Sequence, residues 1–549
     1  MKKHLLVTAT AALTLVGCNN GGTATTEAPT ASATTATSAA TTSTEPTNSG
    51  TSVLTSIEVE TVILDDKNYL QPIVTCESCI EEKTEFTWIL DTNDNGVFGD
   101  TYNDVKDVEF KGKQLPLDVN HYATKQLLKV MLFDENNDPS ISESIFQRIQ
   151  AKTVAGTSSA FAALKTDGTV VVWGAQNKGG ELTEELTDVK SITSNDSAFA
   201  ALKNDGTVVA WGDQDKGGVL NESLTNVESI VSNDSAFAAL KNDGSVFVWG
   251  DADKGGYNNS GNELSNIKAI YSNGNAFAAI KNDNTVVTWG DQDNGGNSNL
   301  VSSSLSNVTK IASTGWAFSA LRADGEVISW GDSDWGGELP EPVKGVKDIF
   351  SNRSAFAALK NDGTVITWGF GFYGGDSDSV SHKLIDVKAV YSTLSAFAAL
   401  HHDGKATEWG NSDAGGDKRL TSLENIKEIF STDEAFAAIT NDNNVITWGD
   451  RSAGGRNRNV KDKLTDIKTV YSNSGAFVAV KENGDIISWG NSNTGGGFED
   501  SNIAKVFSNP HAFAAIKADG NIVAWGGSGY GSDNSLVAAD LIPSYVQIK

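Results

Sequence analysis

The stretch Ser235–Gly256, SAFAALKNDGSVFVWGDADKGG, decides how this chain is read. Variants of it recur ten times. The phenylalanine of the Ala-Phe pair stands at Phe161, Phe199, Phe237, Phe277, Phe318, Phe356, Phe397, Phe436, Phe477 and Phe513. The tryptophan of the Trp-Gly pair follows twelve residues later each time, at Trp173, Trp211, Trp249, Trp289, Trp330, Trp368, Trp409, Trp448, Trp489 and Trp525. The repeat itself varies from 36 to 41 residues. A constant Phe-to-Trp spacing inside a variable period marks a rigid hairpin joined to the next by a surface crossover.

Each unit reads as three strands. Strand a is the V-x-x-I run, as in Val227–Ile230; strand b is A-F-A-A-L; strand c is V-V-x-W-G. A two-residue turn signal, Asp205-Gly206 in the second repeat, separates b from c. Asn284 and Asn443 replace the glycine where it is missing, and Gly and Asn are the residues that tolerate positive φ. Alanines around one phenylalanine let neighbouring sheets approach closely, with the ten Phe and ten Trp filling the gap as core. The expected fold is therefore all-β, a β-propeller or open propeller-like array of ten three-stranded repeats over 151–549, preceded by an N-terminal β-sandwich domain. The tail Tyr545–Ile548 looks like an extra strand a able to close or cap the array.

The pattern V-x-x-I-x-S…A-F-A-A-L-K-x-D-G-x-V-x-x-W-G-x-x-x-x-G-G resembles the repeat of the regulator of chromosome condensation superfamily. In its short period and three strands it is closest in style to the superfamily's secreted bacterial β-lactamase-inhibitor propeller. The resemblance covers 151 to about 549 and implies one repeat per blade. Those relatives have seven blades, whereas this chain carries ten repeats, and propellers generally have four to eight. The eukaryotic relatives exchange nucleotide on a small GTPase and bind chromatin. Export from the cell excludes both roles here, and a net charge of −28 independently excludes nucleic acid as a partner. Nothing matches the face that β-lactamase inhibition depends on, and function does not follow from fold.

The N-terminus reads as an address. Lys2 and Lys3 precede the apolar run Leu5–Val16, which is too short to span a bilayer and has the form of an export signal, 1–17. It ends in Leu15-Val16-Gly17-Cys18, which resembles the lipobox of bacterial lipoproteins, and that resemblance implies acylation of Cys18 and a membrane held through its lipid. Residues 18–51, mostly Thr, Ala, Ser and Gly, form an expected flexible tether with roughly 30 Å of root-mean-square reach. The expected location is the cell envelope, at the outer membrane or cell surface.

Residues 52–150 show alternating strand patterns at 56–62, 85–90 and 127–133 around Trp88, and resemble an immunoglobulin-like sandwich. Cys76 and Cys79 form a C-x-x-C without the strand–helix setting of a redox motif or a second pair for zinc, so a local disulfide is expected. Asp91, Asn93, Asn95, Gly96 and Asp100 fit the first half of a calcium loop. The bidentate Glu is missing at the twelfth position, where Tyr102 stands, and an Asx-rich turn has the same composition. Calcium is the one cofactor candidate.

In a three-stranded meander the a–b loops and the ends of strand c share one face. That face carries D-x-D-x-G-G at Asp213/Asp215, Asp251/Asp253, Asp291/Asp293 and Asp332/Asp334, a second calcium or turn-stabilising pattern. It also carries Trp316, Trp335, Phe370, Phe372 and Tyr373, an aromatic concentration in repeats five and six of the kind that marks binding hot spots. The six histidines (4, 121, 382, 401, 402, 511) show no catalytic or metal-ligand spacing. The expected function is a non-enzymatic, surface-anchored scaffold for a protein or glycan. A structural or adhesive surface protein is the alternative; an enzyme or enzyme inhibitor ranks below both. Palmitate labelling of the expressed chain is expected to depend on Cys18, and incorporation that persists in Cys18→Ala, or is missing from the wild type, refutes the lipid anchor.

Overall fold

The computed structural model describes strands within 53–149 (53–64, 67–77, 85–90, 101–102, 105–106, 108–111, 115–116, 125–133 and 139–149). It then describes residues 150–541 apart from 259–260, 262 and 418–422, and a last strand at 544–548. The strands of the ten repeats are where the pattern puts them. In the third repeat they are Val227–Ser232, Ala236–Lys241 and Val246–Gly250, paired antiparallel in the order a-b-c. Every repeat forms such a sheet, and the ninth adds a short fourth strand, Glu499–Asp500, outside its strand c.

The b–c connection is one residue longer than the two-residue turn expected from Asp-Gly. Gly206 N–H donates to Lys203 O (3.0 Å), and Lys203 N–H donates to Thr207 O (2.9 Å). This is a three-residue loop closed by a left-handed residue. Gly206 has φ 80°, and Asn284 and Asn443 take the same region at 65° and 55°. The aspartate fixes the loop as well: Asp205 Oδ1 accepts from the N–H (2.9 Å) and hydroxyl (2.6 Å) of Thr207.

The core lies between blades. One face of strand b in the first blade (Ala160, Ala162, Leu164) is buried together with Phe199, Ala201 and Trp211 of the second. The same assembly recurs around the array, each blade offering small residues to its neighbour's Phe–Trp pair. All ten phenylalanines are fully buried, and in each blade the two rings lie 5.0–5.5 Å apart. In seven of the ten blades the indole N–H completes the joint by donating to a glycine carbonyl of the preceding blade, as in Trp211 to Gly179 and Trp249 to Gly217 (3.0 and 2.9 Å), whereas the buried indole N–H groups of Trp289, Trp368 and Trp448 make no hydrogen bond. That glycine is obligatory. Gly217 has φ 93°, and a Cβ there would stand 2.7 Å from the Phe237 ring.

The same joint closes the ring. Ala512, Ala514 and Ile516 of the tenth blade pack on Phe161 and Trp173 of the first, and Trp173 Nε1 donates to Gly531 O (2.9 Å). Strands a of successive blades contact one another, so they line the axis and strands c form the rim. Serine hydroxyls stitch the a strands together: Ser194 donates to Gly156 O, Ser232 to Ser194 O and Ser272 to Ser232 O, each at 2.7 Å. At the seam this position is Gly156, where a Cβ would sit 2.8 Å from Asn509 Cβ.

The tail is a strand, Ser544–Ile548, but it does not join the array as an extra strand a. It pairs with Pro139–Ile149 (Ser544 opposite Ile149, Ile548 opposite Ile145). The reason is occupancy: Ala151–Gly156 already fills strand a of the first blade, and the tenth blade has its own in Ile503–Ser508. The tail thereby becomes the edge of a five-stranded sheet ordered 544–548, 139–149, 125–133, 85–90, 108–111. With the sheet of 53–64, 67–77 and 115–116, it makes up the N-terminal β unit, whose buried side chains include Trp88, Leu90, Leu128 and Val130. Residues 1–52 lie outside the described residues.

Because the core is shared between neighbours, Phe277→Ala is expected to cost about 3–5 kcal/mol. The expected readout is a lower denaturant midpoint for the whole ring, followed by tryptophan fluorescence. A midpoint within error of the wild type would contradict inter-blade packing as the main source of stability.

Candidate functional site

The a–b turns and the ends of strand c share one face, held by a buried polar residue four positions before each repeat phenylalanine. It is Asn or Thr in all ten blades. Asn195 Oδ1 accepts from the N–H groups of Ser197 and Ala198 (2.9 and 2.8 Å), while its Nδ2 donates to Lys216 O (2.7 Å). Thr314 does the same with one hydroxyl, accepting from Ala317 N–H and donating to Trp335 O (both 3.0 Å). Asn352 holds Tyr373 O at 2.7 Å. These buried groups fix the backbone of the face at both edges of every blade. Their signal in the sequence is the Asn or Thr at this one offset in every repeat.

On this scaffold, at four blade-to-blade joints, the residue five after a repeat tryptophan meets the residue two after the tryptophan of the next blade. In the first four blades the pair is ionic: Lys178–Asp213 (3.4 Å), Lys216–Asp251 (2.7 Å) and Lys254–Asp291 (3.1 Å). The aspartates also cap the turn that follows, Asp213 Oδ1 accepting from Asp215 N–H (3.1 Å). The D-x-D pattern is thus engaged in turn capping and inter-blade bridging. Among the described residues no group of three His, Cys, Asp or Glu side chains is arranged to hold a metal.

Between the fifth and sixth blades the same pair of positions is Trp335 and Phe370, stacked at 5.2 Å and 17°. Trp316 also packs on Trp335 (4.4 Å), and Arg353 lies over the Trp316 ring (5.1 Å). Phe370 continues to Tyr373 (5.1 Å), and Tyr373 to Phe372 (5.5 Å). The structure therefore places all five aromatic candidates in one continuous ridge, with Phe370 38% and Phe372 64% exposed. Arg353 was not foreseen. Nor was a smaller counterpart at the tenth blade, where His511 and Tyr530 pack at 4.4 Å in the positions of Trp316 and Trp335.

The inner end of the ridge reaches the axial mouth, where a–b turns bond from blade to blade. Ser158 N–H donates to Asp196 O (3.0 Å), Gly315 N–H to Arg353 O (2.8 Å) and Leu394 N–H to Asp433 O (2.9 Å). Three half-buried carboxyls stand in this ring. Burial, then the Asp196 charge, pushes Asp234 up to about 7, against the pull of Arg353 and Lys254. Burial and Glu434 push Asp433 up to about 7, again opposed by Arg353. Asp196 is raised by burial to about 6, with Lys178 and Lys216 opposing.

Of the remaining candidates, Cys18 and the calcium-loop residues Asp91, Asn93, Asn95 and Asp100 lie outside the described residues, as does Cys79; Cys76 ends near the close of strand 67–77. His401 bridges Ile385 O and Thr407 Oγ1, both at 2.9 Å, which is a structural use.

No family model matches the chain, and no curated protein matches it. Among solved structures it is similar to the computationally designed Ika8 protein (17% identity, 55% of this chain and 96% of that one, TM-score 0.28). It is also similar to yeast RCC1 (Prp20) bound to Kap60 (15%, 56% and 81%, TM-score 0.30). A third is the ectodomain of the receptor kinase CR4 from Physcomitrella patens (16%, 48% and 75%, TM-score 0.28). At such TM-scores these likenesses decide nothing about partners, and the propeller is defined by the strand order and joints described above.

The axial carboxyls give a pH dependence of definite sign. Their folded pKa values are raised above the ordinary 3.8, so between about pH 4 and 7 the native state binds more protons than the unfolded one. Their contribution to stability is largest at acid pH and is lost as pH rises through 6–7. The melting temperature is expected to be higher at pH 5.5 than at pH 8, and Asp234→Asn with Asp433→Asn to flatten that difference. An unchanged pH profile in the double variant would contradict the assignment.

Proposed function

We propose that this protein is a non-enzymatic binding scaffold whose ten-bladed ring presents the Arg353–Trp316–Trp335–Phe370–Tyr373–Phe372 ridge to one protein or glycan partner. The observation that carries the reading is the replacement of a Lys–Asp bridge by the Trp335–Phe370 stack at equivalent positions. The ionic pair shows that the joint does not require aromatic rings. Leaving large rings partly in water is unfavourable for a structural role and favourable for a contact surface, where desolvating them on binding contributes affinity. The backbone beneath is already fixed by Thr314 and Asn352, so little ordering is left to oppose association.

A lipid at Cys18 would hold the ring at the cell envelope, with 19–51 as the stand-off. This part of the reading rests on the lipobox-like residues alone.

The test uses the full chain, immobilised, against soluble oligosaccharides and envelope protein extracts, with Trp335→Ala/Phe372→Ala in parallel. Capture of one class of partner, weakened about tenfold or more in the variant, is expected. Equal capture by wild type and variant overturns the ridge as the binding surface.

A further inference from the structure

The chain has seven arginines, and three of them, Arg451, Arg456 and Arg458, fall within eight residues of the eighth blade, in DRSAGGRNRN (450–459). The backbone between them is firmly seated. Asp450 Oδ1 accepts from the N–H groups of Ser452 and Ala453 (2.7 and 3.0 Å). Gly455 N–H donates to Asp450 O (2.7 Å), and Gly454 (φ 96°) sits on the Phe477 ring of the next blade. Asn457 Nδ2 reaches Val445 O on strand c (3.4 Å). All three arginines are exposed on this anchored loop.

Among the described residues none of the three has an ion-pair or hydrogen-bond partner. The chain carries 70 acidic residues, yet none of those described forms an ion pair with them. Arg456 is drawn below the ordinary arginine pKa by local desolvation, and then by the charges of Arg458 and Arg451. The three arginines thus share one exposed eight-residue loop. The fold does not ask for them: the matching positions in the second blade are Gln214, Val219 and Asn221, and in the sixth Gly371, Asp376 and Asp378. Three like charges kept together without a counter-ion, at positions where other blades do without, point to an anion supplied from outside.

We infer that the Arg451–Arg458 loop binds a single tetrahedral dianion, a phosphate monoester group. Guanidinium forks match phosphate oxygens in pairs, which suits arginine better than lysine here. The patch is confined to one loop, and the chain around it carries a net charge of −28, so an extended polyanion would be repelled beyond its first few charges. This inference is independent of the aromatic ridge.

The full chain would be titrated calorimetrically at low ionic strength with inorganic phosphate and glucose 6-phosphate, with glucose as control. Flotation with vesicles of phosphatidic acid in phosphatidylcholine, against phosphatidylcholine alone, forms a separate arm. Binding to the phosphates and not to glucose is expected, weakening as salt is raised. It should fall about tenfold or more in Arg451→Gln/Arg456→Gln/Arg458→Gln and less in the corresponding Lys variant. The exposed positions should leave the melting temperature unchanged. Response to soluble phosphates identifies a free or sugar-borne ester as the source; response confined to phosphatidic acid vesicles identifies a lipid headgroup. No response to any phosphate probe, or equal binding by the Gln variant, overturns the inference.

Discussion

Every blade of this protein is half of two cores and all of none. Its Ala-Ala-Leu face completes the burial of the next blade's Phe–Trp pair, and its own pair is covered by the blade before. A three-stranded sheet of this size has no interior of its own, so an open array would leave one Phe–Trp pair and one alanine face bare at its ends. Closure removes both, and at the seam the Trp173–Gly531 bond repeats the joint made by Trp211 and Gly179. Ten blades, more than propellers usually have, are accommodated because each joint is local and nearly identical. Small residues at the interface set the approach, and serine hydroxyls tie the axial strands.

The N-terminal β unit takes part in that closure. The strand 139–149 leads directly into the first blade, and the tail 544–548 pairs beside it. Start and end of the ring are therefore linked twice, once through the shared core at the seam and once through backbone pairing in a separate sheet. The tail is the strand its pattern predicts, but it pairs outside the blades. Period-two alternation says that a segment will pair but not with which edge.

One face varies because its fixed parts are elsewhere. The buried Asn/Thr residues hold the backbone and the glycine pairs hold the joints, so the side chains between them can differ from blade to blade without changing the frame. Lysine and aspartate occupy those positions in the early blades; aromatic rings occupy them in the fifth and sixth; arginines crowd one loop of the eighth. The aromatic candidates are legible in the sequence as large rings gathered on one face of two adjacent blades, but their contacts are not: Trp335 and Tyr373 share a repeat offset, yet Trp335 stacks on Phe370 instead. Arg353 over Trp316 and the His511–Tyr530 pair likewise join different offsets, which spacing alone does not reveal.

The number of repeats, the strands of each, the left-handed residue in every b–c turn and the identity of the core aromatics are all written in the order of the residues. All of these depend on short-range spacing and on what single residue types tolerate. The tertiary structure alone decided that the ring closes, that the tail serves the N-terminal sheet, and that carboxyls from the second, third and eighth blades share an axial mouth with Arg353. Those outcomes depend on the small rotation from each blade to the next, summed over ten joints. No single repeat encodes that sum, and it becomes visible only where the first blade meets the last.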